Sequence, residues 1–64
     1  MIKMSPVSKS DIYGILTGID IYVSAIRKEV FKKYQSSQYI REKMDAIKSN
    51  LVSIEGYMEH ETNN

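Results

Sequence analysis

Two rows of residues, Ile12, Ile19, Ile26, Lys33, Ile40, Ile47, Ile54 and Leu16, Val23, Val30, Ser37, Met44, Leu51, Met58, run through this chain in one heptad phase. Their alternating spacings of four and three place both on a single stripe of an α-helix, the pattern of helices that pack against other helices. Only Lys33 and Ser37 are polar, and both lie near the middle. The expectation is an all-α chain whose helices associate. How they do so depends on what surrounds the stripe.

With 64 residues the chain is long enough for one small domain, and a domain of that size buries only about 60% of the surface its unfolded chain exposes. It has no cysteine, so disulfides and thiolate metal sites do not contribute, and a reducing, cytoplasmic setting is expected. Nine basic and eight acidic residues give a net charge of +1, which argues against a strongly basic nucleic-acid binder and against an acidic tail. The apolar stretch from Ile12 to Ile26, preceded by Lys3 and Lys9, looks superficially like a secretory leader. Asp11 and Asp20 speak against that, and the run is too short to span a bilayer, so no membrane insertion is expected.

Residues 1–7 lack helical phase and contain Ser5-Pro6, which reads as an extended arm. Ser8 and Asp11 have the spacing of a capping box, and Val7 and Ile12 that of a hydrophobic staple, so the first helix is expected to begin at Ser8. It continues to about residue 34. A second helix runs from about 37 to 60, and residues 61–64 form a frayed tail. Between them, Gln35-Ser36-Ser37 coincides with the lapse in the stripe and offers serine as an N-cap, favouring a turn and an antiparallel hairpin. The gap has no Gly, Pro, Asn or Asp, and the phase matches on both sides. One long coiled-coil helix therefore stands as the alternative.

The two halves differ off the stripe. The second is polar there almost everywhere, whereas the first carries Tyr13, Ile15, Ile21, Tyr22, Ala25 and Phe31. A helix apolar nearly all round is buried from more than one side, which points to hairpins pairing into a four-helix bundle with the first helix inside. The expected core is Ile12, Leu16, Ile19, Val23, Ile26, Val30, Ile40, Met44, Ile47, Leu51, Ile54 and Met58. The expected partner-binding residues are Ile15, Ile21, Tyr22, Ala25 and Phe31, facing a second copy or a larger protein.

Gly14 and Gly18 form a G-x-x-x-G that would admit another helix closely. The segment around Gly18, Leu16-Thr17-Gly18-Ile19-Asp20, locally resembles the turn of repressor-type helix-turn-helix domains. That resemblance implies a small DNA-binding regulator as the runner-up function. The match is degenerate: Ser24 stands six positions after the glycine, where those domains carry an apolar residue, and Ile21 and Tyr22 occupy places suited to Arg, Asn or Gln. In a hairpin, Arg27, Lys28, Lys32, Lys33, Arg41 and Lys43 gather towards the turn, and Asp11, Glu55, Glu59 and Glu61 at the open end. Lys28, Lys32, Lys33, Arg41 and Lys43 are thus candidate electrostatic contacts, either between antiparallel copies or, with Tyr34 and Tyr39 as stacking surfaces, with single-stranded nucleic acid.

Catalytic equipment is sparse. His60 is the one histidine, no nucleophile is paired with a base, and neither Glu-x-x-His pairs nor glycine-rich phosphate loops occur. No catalytic residue, metal or cofactor is expected. The function expected is that of a small adaptor, inhibitor or regulator acting through apolar helix faces.

Overall fold

The structure, a computed structural model, describes residues 4–63. Two helices, α1 (Pro6–Val30) and α2 (Ser37–Asn63), fold back on each other as an antiparallel hairpin. The result is a rod 49 Å long and 17 by 15 Å across. The chain turns at the lapse in the stripe, as expected, and the continuous coiled-coil helix is excluded.

The helix limits depart from expectation in an instructive way. α1 begins two residues early, because Ser5 is the N-cap: its side chain accepts from the Ser8 amide, and Pro6 occupies the first turn. Proline suits that position, since its missing N–H would have no intrahelical partner there. Of the expected arm, residues 1–3 lie outside the described residues, and Pro6 and Val7 are helical. The Ser8–Asp11 capping box is replaced by longer-range bonds from both residues. At the other end of the chain the expected frayed tail is helical through Asn63, while Asn64 lies outside the described residues.

α1 stops at Val30, four residues before the expected limit, without a glycine or proline. The Gln35 amide ends it by donating to the carbonyls of Val30 (3.1 Å) and Lys32 (2.6 Å), which would otherwise be unpaired at a helix C-terminus. Ser36 then caps α2. Its Oγ accepts from the Tyr39 amide at 3.2 Å, and its carbonyl takes the first helical bond, from Ile40.

The seam between the helices uses only half of the expected stripe. The isoleucine row, Ile12, Ile19, Ile26 and Ile40, Ile47, Ile54, lies in it as expected. Its companion is the row three residues after each isoleucine, Ile15, Tyr22 and Glu29 on α1 and Lys43, Asn50 and Tyr57 on α2, extended by Ser8 one heptad before Ile15. The Leu/Val/Met row four residues after each isoleucine was expected in the core, but it flanks the seam; only Val23 of that row is half-buried. Among the described residues no hydrophobic side chain is buried, whereas Ser8 and Glu29 are, each 5% exposed.

Polar groups close this seam in pairs. Lys43 Nζ lies 5.6 Å from the Tyr22 ring centroid and 5.0 Å from that of Tyr39, within cation–π range. Tyr57 donates to Asp11 Oδ2 at 2.9 Å. A Cβ built on Gly18 would lie 3.7 Å from the Asn50 amide nitrogen, and one on Gly14 would meet nothing within 4 Å. The G-x-x-x-G therefore makes no close backbone approach within the hairpin, and α1 passes through Gly18 unbroken, with no turn there.

Candidate functional site

In two antiparallel helices, residues displaced by the same step from the seam fall on the same side of the pair. The row four residues after each isoleucine thus comes from both helices to one side of the rod. Leu16, Val30, Met44, Leu51 and Met58 are 46, 52, 46, 46 and 39% exposed, with half-buried Val23 between them. Antiparallel pairing sets Leu16 at the level of Leu51 and Val23 at that of Met44, an apolar ladder along the central part of the rod. Arg41 and Lys48 border it; together with Met44 they line a groove at its turn end.

Each end of the rod is held by a glutamate. Glu61, in the last turn of α2, accepts from the Ser5 amide (3.2 Å), the Ser5 hydroxyl (2.8 Å) and the Ser8 hydroxyl. Glu29, at the end of α1, accepts from the Ser36 amide at 2.8 Å and from Lys32 Nζ at 3.0 Å. The Ser36 amide, followed by Lys32, holds the Glu29 carboxyl below its ordinary pKa. The Ser8 and Ser5 donors do the same for Glu61. Neither helix carries an acidic residue in its own first turn, so each positive helix end receives a carboxylate from the other helix. Near the open end, hydrogen bonding to Asp11 raises the Tyr57 pKa.

The expected partner-binding residues divide between two environments. Ile15, Tyr22 and Ala25 are half-buried within the hairpin, whereas Ile21 on α1 and Phe31, the residue that caps its end, are 64 and 88% exposed. Of the candidate electrostatic residues, Lys28 and Arg41 are exposed. Lys32 is paired with Glu29, Lys33 lies 5.6 Å from the Tyr34 ring centroid, and Lys43 is half-buried beside two rings. The basic residues do gather towards the turn, but two of them are engaged within the hairpin.

Among the described residues no three His, Cys, Asp or Glu side chains converge as metal ligands, and no helix is long and apolar enough to cross a membrane. Fold and surface together define a two-helix antiparallel hairpin with one apolar side left open. No known protein family, curated protein or solved structure matches the chain.

Proposed function

We propose that the chain is a non-enzymatic protein-interaction module, an adaptor, inhibitor or regulator that works by packing its open apolar side against another protein surface. One observation carries this reading: beside its isoleucines the hairpin seals a row that includes Ser8, Glu29, Lys43 and Asn50, and leaves the Leu/Val/Met row largely in water. A chain serving only its own stability is better served by the reverse, since an exposed Leu/Val/Met row contributes little while an ordered polar seam requires matched partners. Apolar rows left open on a small surface mark binding sites. The half-burial of Lys43 beside two rings and the pairing of exposed Lys32 with Glu29 support a protein partner over nucleic acid, which needs free cationic groups.

Affinity capture from a cell lysate with wild type, Leu51→Glu and Ile21→Glu tests the assignment. The expected result is salt-tolerant capture by wild type and Ile21→Glu that is lost in Leu51→Glu. Loss in Ile21→Glu alone would move the surface to the outer side of α1. Capture that collapses with added salt in all three would point to charge rather than apolar packing.

A further inference from the structure

We infer that the occupant of the open side is a second copy of this chain, laid antiparallel, so that α1 packs on α1 and α2 on α2 in a four-helix bundle. The inference rests on reading the open side as a packing surface, and it adds the partner and its direction.

Surface area favours an occupant of this size. The hairpin exposes 5285 Å² for a mass of 7.4 kDa, whereas a compact monomer of that mass exposes about 4,200 Å². The excess, roughly 1,000 Å², is comparable with the ~800 Å² that each partner contributes to an ordinary stable interface.

Charge sets the direction. Residues 19–50, the half of the rod that contains the turn, carry seven basic and four acidic side chains, while the flanking segments carry two basic and four acidic. Parallel copies would bring positive half onto positive half, and antiparallel copies bring positive onto negative. At the edges of the ladder the antiparallel arrangement sets Arg41 opposite Glu55 of the other copy, twice. Parallel copies would set Arg27 against Arg41 but also Asp20 against Lys48, each twice, so the edge pairs balance and the net charge of the two halves decides the direction. The ladder also suits a two-fold axis across the rod: the Leu16–Leu51 level of one copy meets the Val23–Met44 level of the other. Asp20 and Lys48 then each lie close to their own counterparts beside the axis, two like-charge contacts that offset the Arg41–Glu55 pairs at the edges.

Sedimentation equilibrium and cysteine cross-linking of the purified full chain test this. Wild type is expected to be a dimer whose thermal midpoint rises with protein concentration, and Leu51→Glu and Leu16→Glu are expected to weaken association at least tenfold. Because the chain has no cysteine, Asp20→Cys and Lys48→Cys can each be treated alone with a short bismaleimide. Each is expected to give a covalent dimer by itself, a readout that does not depend on any disrupting variant folding. If cross-linking occurs only when the two variants are mixed, the copies are parallel and the proposed direction is overturned. A wild type that is monomeric at every concentration, with a midpoint independent of concentration, overturns self-pairing altogether. Capture of another protein through Leu51 would in that case still stand.

Discussion

The backbone amide of Ser36 donates to Glu29 Oε2 at 2.8 Å, so the last turn of one helix supplies the acceptor for the start of the next. A glutamate within a helix's own first turn commonly reaches back to its cap in this way. Here the carboxylate comes from across the hairpin, and Glu61 repeats the arrangement with Ser5 at the opposite pole. Capping and tertiary packing are therefore one event, and both helix starts depend on the hairpin being closed.

Acid should loosen this closure. Glu29 and Glu61 both titrate below the ordinary 4.5 when folded, and they return to ordinary values on unfolding. Their contribution is complete above the unfolded pKa and is lost as pH falls through the folded values. Denaturant unfolding followed by circular dichroism across this range should show stability falling below about pH 4.5 in wild type. The double variant Glu29→Gln, Glu61→Gln should be less stable at neutral pH, with a flatter acid limb. Parallel acid limbs in the two proteins would show that other carboxylates govern the effect.

Tyr57 should titrate late. Asp11 accepts its hydroxyl, first through the hydrogen bond and then through its charge, and holds the phenol above the ordinary 10.0. Because the folded value is raised, the associated stability is present below pH 10 and lost as pH rises through the folded pKa. In Asp11→Asn, the last of the tyrosinate absorbance steps should move to lower pH. An unchanged titration curve would mean that the two side chains do not meet.

The Ser36 cap can be measured alone. Ser36→Ala removes the oxygen that accepts from Tyr39 while keeping the backbone amide that reaches Glu29, and a cost of about 1 kcal/mol is expected. Ser36→Gly should cost only a few tenths, about what glycine loses as a cap. Chemical denaturation resolves the pair, and equal losses would assign the effect to the turn backbone instead.

Gly14 and Gly56 are open to improvement. A Cβ at either would meet nothing within 4 Å, so Gly14→Ala and Gly56→Ala should each stabilise the chain by about 1 kcal/mol through helix propensity. Thermal unfolding should show both midpoints rising. A fall in either would indicate that another molecule approaches that glycine closely.

Much of the fold was legible in the sequence because the isoleucine row is strongly periodic and lapses once, at the turn. The companion row was not, for a physical reason. Judged by hydrophobicity, Leu16, Val30, Met44 and Leu51 outrank Ser8, Glu29, Lys43 and Asn50 as seam residues, yet the polar set occupies the seam. Two of them find partners far away in sequence, Ser8 at Glu61 and Lys43 at Tyr22, and Glu29 finds one beyond the turn at Ser36; no local pattern records such partners. Tyr22 and Ile15 looked like surplus apolar surface for the same reason. The start of α1 did carry a readable signal, Ser5 followed by Pro6, which the weaker Ser8–Asp11 spacing obscured.

The glutamates at the two poles have a consequence for alignment. A seam of isoleucines repeating every seven residues still fits after sliding by one heptad, because two of its three levels then pair isoleucine with isoleucine again. Such a slip would carry Glu61 away from Ser5 and Ser8, and Glu29 away from Ser36, leaving charged groups without their donors at both ends at once. Lys43 would leave its two rings in the same movement. The polar row thus acts as a vernier: it adds little adhesion, but only one setting of the two helices brings every mark into coincidence.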